Sequence, residues 1–245
     1  MNNEKINRRD FLKELGFVAG TTALLSSFPW LSGMAEDKRK ATTGHKARIA
    51  VIGTGDRGRY LLNFLVMNPK AEVVWLCDNY EPWLELGRQI APSAKTCADY
   101  RQVIDDPNVD GVVIATPLHT HLEIAGAAME AGKHVFCEKP IVTNAAEYDE
   151  LLSLADKSGL IYAEAIMSRH YKGRDMLLKG LSQIGNISVA RINFCQRSSR
   201  YDAFMAGEHM NIFDMSLCAG TLMDLGVYCV YAAVDMFGMP KNIKA

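Results

Sequence analysis

The residues best placed to do chemistry begin with a glycine series, Gly53-Thr54-Gly55-Asp56-Arg57-Gly58, which ends the apolar run Ala47-Arg48-Ile49-Ala50-Val51-Ile52. The G-x-G-x-x-G spacing suits the three glycines to a tight turn, close approach of backbone to a pyrophosphate, and close packing of the next helix on the strand. Phosphates would then lie over the N-terminus of that helix, where N–H groups and the helix dipole favour anions. Asp78 follows Gly58 by about 20 residues, the separation at which a carboxylate meets a ribose diol. It closes a second apolar run, Val73-Val74-Trp75-Leu76-Cys77. A carboxylate at that point repels a 2′-phosphate, so the expected cofactor is NAD, with NADP possible. Thr54, Asp56 and Arg57 join Gly53, Gly55, Gly58 and Asp78 as expected cofactor-binding residues.

Three further clusters lie at or just beyond apolar runs: Thr116-Pro117 with His119 and His121, Cys137-Glu138-Lys139-Pro140, and the stretch Gly220 to Tyr228. An ammonium such as Lys139 beside a reacting carbinol stabilises developing alkoxide and lends itself to proton exchange. Asp224 and Tyr228 are spaced i, i+4, so on a helix predicted over Thr221–Phe237 a carboxylate and a phenol project from one face and can share a substrate hydroxyl. Arg200 and Tyr201 fall in a polar loop, where substrate contacts or a solvated turn are both expected. His119 and His121 stand two apart and diverge, so no metal pair is expected. His121 is assigned to cofactor or helix-start contacts.

The elements that must position these residues alternate from Ala47 onward. Strands are predicted over Ala47–Ile52, Glu72–Cys77, Lys95–Cys97, Gly111–Ala115, His134–Cys137 and Leu160–Ala163. Helices are predicted near Arg59–Met67, Pro82–Ile90, Tyr100–Ile104, His121–Ala131 and Ala145–Lys157. Such alternation with short links argues α/β: a doubly wound parallel sheet whose ligands sit at the carboxyl ends of its strands. From about Ile166 the pattern changes to a helix (Lys172–Leu181), a long strand (Ile187–Cys195), a polar loop (196–219) and the apolar helix Thr221–Phe237. Lys241 to Ala245 reads as the opening of another strand. This is the expected start of a second α/β domain with an open sheet. A lone long strand cannot bury itself, so the chain is expected to be truncated or to borrow a sheet.

Together these clusters resemble the Gfo/Idh/MocA oxidoreductase family, with Glu138-Lys139-Pro140 the most specific mark; the resemblance covers Lys46 to Ala245. It implies a Rossmann domain joined to an α/β substrate domain, and a lysine, here Lys139, between nicotinamide and substrate with a commonly cis Lys-Pro peptide. It also implies cofactor contacts at Thr116, Pro117, His121, Glu138 and Lys139, and substrate contacts at Lys139, Arg200, Tyr201 and Tyr228. Tyr228 stands where many members carry His. The tyrosine version resembles the glucose–fructose oxidoreductase and dihydrodiol dehydrogenase branches, in which that residue is regarded as the acid/base. A phenol ionises near pH 10 and needs a neighbouring cation to act near neutrality. The resemblance thus implies hydride transfer between nicotinamide and a carbinol of a sugar, polyol or cyclic diol, with Lys139, Tyr228 and Asp224 catalytic. An NAD-dependent exported glycosidase of related fold and a non-catalytic sugar sensor are the alternatives.

The 245 residues carry 27 basic and 28 acidic side chains, a net charge of −1 with no basic stripe, so nucleic acid is not an expected partner. The six cysteines lack C-x-x-C spacing and are expected as buried free thiols, with no metal site. Asn7-Arg8-Arg9-Asp10-Phe11-Leu12-Lys13, the moderately apolar Leu15–Leu25 and Gly33-Met34-Ala35 resemble a cleaved twin-arginine signal. The expected organisation is therefore a signal peptide over 1–35, a linker over 36–46, a Rossmann domain over 47–166 and the first part of a substrate and dimerisation domain over 167–245. The twin-arginine machinery is the expected export partner, the periplasm the expected destination, and a homo-oligomer the expected full-length assembly.

Overall fold

The computed structural model describes residues 46–171 and 173–244, so the expected signal peptide and all of the linker but Lys46 lie outside the described residues. Six strands form one parallel sheet: β1 (Ala47–Ile52), β2 (Ala71–Cys77), β3 (Lys95–Cys97), β4 (Gly111–Ile114), β5 (His134–Cys137) and β6 (Tyr162–Glu164). Their order is β3-β2-β1-β4-β5-β6, and every pairing is parallel. The order reverses between β1 and β4, which opens a crevice at their carboxyl ends. Five helices link the strands: α1 (Asp56–Met67), α2 (Glu81–Ile90), α3 (Arg101–Ile104), α4 (His121–Glu130) and α5 (Ala145–Ser158).

The strands are apolar almost throughout because helices cover both faces of the sheet. Side chains alternate between the two layers with period two. Ala50, Ile52, Val112 and Ile114 pack with Ile124, Ala125 and Met129 of α4 and Leu151 and Ala155 of α5. Ile49, Val51 and Val113 pack on the other face with Leu62 and Leu65 of α1 and Leu84 of α2. At the N-terminal edge, the Arg48 guanidinium grips buried Asp110 with its Nη2 at 2.8 Å from Oδ1, fixing β1 against the residue that leads into β4. Helix α5 carries its own start and stop signals: the Asn144 side chain accepts from the Glu147 N–H, Glu147 accepts from the Thr143 N–H, and Gly159 closes the helix in the left-handed region at φ +66°.

The chain divides after Ala165 into two compact units. The second holds α6 (Gly173–Leu181), α7 (Tyr201–Met205), short 3-10 turns, and a π turn at Leu222–Gly226 that runs into α8 (Val227–Phe237). The Arg174 guanidinium holds Asp235 through two hydrogen bonds, one from Nε at 2.6 Å, and Arg169 donates to the Tyr231 hydroxyl at 3.2 Å. These contacts tie α6 and the Met167–His170 turn to α8.

Several sequence expectations are corrected here. Residues 187–195 form no strand, and residues 241–244, the described part of Lys241–Ala245, begin none. A strand exists through a partner's backbone, and among the described residues none supplies an edge for this segment, which leaves Val189 83% exposed. The helix expected over Thr221–Phe237 begins with the π turn instead of a regular α-turn. Of the thiols, Cys77, Cys97 and Cys137 are buried, but Cys195 is exposed and Cys218 and Cys229 are half-exposed.

Candidate active site

The β1–α1 loop is shaped by its glycines for two different reasons. Gly53 has φ +90°, and a Cβ on it would lie 2.7 Å from the carbonyl carbon and oxygen of Ala115. A Cβ on Gly58 would lie 1.8 Å from the Gly53 carbonyl oxygen, so this glycine lets α1 seat directly on the turn. Gly55 differs: its Cβ would meet only the Trp83 ring at 3.6 Å, an ordinary contact. The packing of the protein demands two of the three glycines, and the third keeps open the place where a phosphate would approach backbone. Gly55 stands at the N-cap of α1 and brings no side chain to its first turn, where N–H groups and the helix dipole favour an anion. The loop therefore fits a dinucleotide.

Asp78, only 9% exposed, holds this loop from the end of β2. Its Oδ2 accepts from the Thr54 N–H at 2.6 Å and the Thr54 hydroxyl at 3.2 Å, and its Oδ1 accepts from the Tyr80 N–H at 2.9 Å. Carboxylate oxygens carry two lone pairs each, so capacity for a ribose hydroxyl remains. Thr54 is fully buried; its side chain supports the loop and does not face a ligand. Asp56 pairs with Arg59 at 2.7 Å, and Arg59 also donates to the Thr54 carbonyl at 2.6 Å. Arg57 lies over the Tyr60 ring and donates from Nε to Glu138 at 2.6 Å, joining the glycine loop to the loop after β5.

That second loop carries half-buried Lys139, and the Lys139–Pro140 peptide bond is cis. Glu138 is buried; burial pushes its carboxyl up from the ordinary range while the Arg57 guanidinium pulls the other way. Its Oε2 accepts from the Lys139 N–H at 3.3 Å, so Glu138 works as a brace within the protein. Thr116 and Pro117 form the turn after β4, where the Thr120 hydroxyl lies 2.7 Å from both the Thr116 hydroxyl and the Pro117 carbonyl. His121, expected at the cofactor or the helix start, is 1% exposed, and it opens α4 with both ring nitrogens on protein carbonyls: Nδ1 is 3.0 Å from Pro140 O and Nε2 is 3.0 Å from Thr116 O. Burial lowers its pKa. The carboxyl ends of β1, β2, β4 and β5 thus bring together Gly53–Gly58, Asp78, Thr116, Pro117, His121, Glu138 and Lys139.

Three residues were not evident from the sequence. Arg59 gave no signal, being one more polar residue on an amphipathic helix. Trp83 lies beside Gly55 and edge-on to Tyr80, with centroids 5.2 Å apart. Glu164 ends β6 and accepts the Ile141 N–H at 3.0 Å; burial raises its pKa. A lone acid closing an otherwise apolar strand was its available signal.

In the second unit, Asp224 sits within the π turn and Tyr228 is the second residue of α8. The i→i+5 winding there rotates them away from the alignment that i, i+4 spacing gives on a regular helix. The Tyr228 ring stacks on Phe194, with centroids 5.1 Å apart and planes 16° from parallel. Arg200 stands at the N-cap of α7 and Tyr201 is its first residue, under the Arg197 guanidinium, so this segment is a short helix where a loop was expected. Among the described residues no cluster of three His, Cys, Asp or Glu side chains is arranged to hold a metal, and no helix is long and apolar enough to cross a membrane.

Comparison with known proteins fits this geometry. The Gfo/Idh/MocA model, an oxidoreductase family with an NAD-binding Rossmann fold, matches residues 47–166. A scyllo-inositol 2-dehydrogenase (NADP(+)) from Bacillus subtilis is 40% identical over 204 residues, covering 81% of this chain and 60% of its own length. Mouse trans-1,2-dihydrobenzene-1,2-diol dehydrogenase is 35% identical over 152 residues, covering 61% of this chain and 43% of its own. A crystal structure of KijD10, a 3-ketoreductase from Actinomadura kijaniata, with NADP and TDP-benzene, superposes with a TM-score of 0.68 at 25% identity, over 79% of this chain and 58% of that one. The chain thus spans 60% or less of the length of each of these relatives. With their glycine turn, their Glu-Lys-Pro loop and their parallel sheet, residues 47–166 match the Gfo/Idh/MocA oxidoreductase family and carry its NAD-binding Rossmann fold.

Proposed function

We propose that the full-length protein is an NAD(P)-dependent oxidoreductase acting on a CH–OH group of a sugar, polyol or cyclic diol. The observation that carries this reading is the bridge at the crevice: Arg57 of the phosphate-facing turn holds Glu138, whose carboxylate braces the Lys139 backbone. A bound nicotinamide supplies hydride acceptance or donation. Gly53–Gly58 and the first turn of α1 hold the pyrophosphate, and Asp78 receives the ribose. Lys139 stabilises the developing alkoxide, with Tyr228 as proton carrier and Asp224, Arg200 and Tyr201 orienting substrate. The relatives named for scyllo-inositol and for a dihydrodiol support this substrate class. NAD is preferred over NADP, although two relatives are named for NADP(+) and the KijD10 structure holds NADP, because Asp78-Asn79-Tyr80-Glu81 offers two carboxylates and no cation to a 2′-phosphate.

The test is turnover by the full-length protein on a panel containing scyllo-inositol, D-xylose and a trans-dihydrodiol, followed by absorbance of reduced nicotinamide. Lys139→Ala should lose about 10²-fold or more in kcat with nucleotide affinity kept. Wild-type turnover in that variant overturns the role of Lys139 and favours a sugar-sensing protein. Export by the twin-arginine route and assembly as a homo-oligomer belong to the same proposal; the motif at Asn7–Lys13 supports the first.

A further inference from the structure

One peptide group in the candidate site is held at both ends by buried side chains from different elements. The Pro140 carbonyl oxygen lies 3.0 Å from His121 Nδ1, and the N–H of the same peptide, on Ile141, donates to Glu164 Oε1 at 3.0 Å. His121 starts α4 and Glu164 ends β6, so the peptide that follows Lys139-Pro140 is clamped between a helix and a strand that flank β5. His121 Nε2 lies 3.0 Å from the Thr116 carbonyl oxygen after β4; a neutral imidazole carries one N–H, and the clamp puts it on Nδ1, toward Pro140. We propose that His121 and Glu164 are positioning residues: they fix the plane of the Pro140–Ile141 peptide and so aim the Lys139 side chain. The inference rests on the reading of Lys139 as the reacting lysine only for its catalytic consequence. The clamp itself is a property of the fold.

The geometry makes unequal demands on substitutions. Glu164→Gln keeps a carbonyl oxygen for the Ile141 N–H, whereas Glu164→Ala leaves that N–H without an acceptor. In His121→Asn the amide nitrogen takes the place of Nδ1 and can still donate to Pro140; in His121→Gln it takes the place of Nε2 and reaches Thr116 instead. A role in mere core filling predicts that both His121 variants behave alike.

The experiment uses the full-length protein in two arms. Amide hydrogen exchange at Ile141, read by mass spectrometry without any nucleotide or substrate, should quicken about tenfold or more in Glu164→Ala and stay near wild type in Glu164→Gln. With the panel substrate that wild type turns over, kcat should fall roughly 10- to 100-fold in Glu164→Ala and His121→Gln, and far less in Glu164→Gln and His121→Asn. NADH affinity, followed by its fluorescence, should stay within about twofold in all four. Unchanged Ile141 exchange in Glu164→Ala overturns the clamp whether or not any substrate is found. Equal kcat losses in His121→Asn and His121→Gln overturn the aiming role. Quickened exchange with undiminished kcat overturns the aiming role of Glu164 and leaves Lys139 to be judged by Lys139→Ala.

Discussion

Gly58→Ala probes the seat of α1 on the glycine turn. The added Cβ would lie 1.8 Å from the Gly53 carbonyl oxygen and 2.9 Å from its carbon. Carbon and carbonyl oxygen rest at about 3.3 Å or more, so relief requires roughly 1.5 Å of movement. Gly53 is held in place: its N–H donates to the Cys77 carbonyl at 2.8 Å, and the Ala115 backbone occupies the space beside its Cα. The start of α1 must move, and overpacking of this kind costs about 1–3 kcal/mol. For a unit of this size that lowers Tm by roughly 3–12 °C. The displaced turn loses at least one charge-assisted hydrogen bond to the pyrophosphate, worth about 1.5–3 kcal/mol, which weakens nucleotide binding roughly 10- to 100-fold. Gly55→Ala is the internal comparison: its Cβ meets the Trp83 ring at 3.6 Å, so Tm should move by less than about 2 °C while affinity still falls. Thermal unfolding by circular dichroism on nucleotide-free protein and titration with NADH read the two effects separately. A Gly58→Ala protein with unchanged melting and unchanged NADH affinity would refute the seating argument; equal destabilisation by both substitutions would refute the distinction between the glycines.

Three further outcomes follow from particular contacts. Full-length protein should bind NAD at least about tenfold more tightly than NADP, a gap of about 1.4 kcal/mol, and tighter binding of NADP in paired titrations would remove Asp78 from the ribose. Burial raises the Asp106 pKa, but hydrogen bonds from Trp75 Nε1, the Asn108 N–H and Lys95 outweigh it and hold the carboxyl below its ordinary range. A lowered folded pKa contributes stability above the unfolded value, near pH 3.9, and that stability disappears as pH falls through the folded value. Asp106→Asn should therefore melt lower near neutrality and lose less than wild type below about pH 4, and parallel Tm–pH curves would disprove it. If the protein works where no nicotinamide pool exists, NAD(H) should survive dialysis of purified full-length protein and appear in the supernatant after denaturation; complete loss, with activity restored only by added NAD, would mark a freely exchanging dehydrogenase and weaken the export proposal.

The half of the chain built on β1 to β6 was legible because each signal there is local. An apolar run followed by glycines specifies strand, turn and helix within twenty residues or so, and backbone sterics leave few alternatives. Lys139 was singled out by the family resemblance that the Glu-Lys-Pro triplet carries, and the structure sets it in the loop after β5. The work of Asp78, Arg57 and His121 was not legible: each bonds a residue 19 to 81 positions away, and only the folded sheet brings such pairs together. The second unit misled for a different reason. Residues 187–195 have strand-like composition, but strand formation depends on a neighbour's backbone. The π turn at Leu222–Gly226 shifts hydrogen bonding by a single residue, which a hydrophobic pattern over one turn cannot register.

The pairing of Arg57 with Glu138 and of Arg59 with Asp56 has an electrical consequence. Each guanidinium in the first residues of α1 is already matched by a carboxylate of the same protein, and Asp78 adds another negative charge. A dinucleotide arriving at this turn is met by oriented N–H dipoles and by shape, with little net positive field. Dipoles act over a few ångströms, inside the roughly 8–10 Å over which physiological salt screens charge. Ionic strength should therefore scarcely alter affinity, and small anions such as sulfate should compete poorly, because the turn recognises the outline of a pyrophosphate more than its charge.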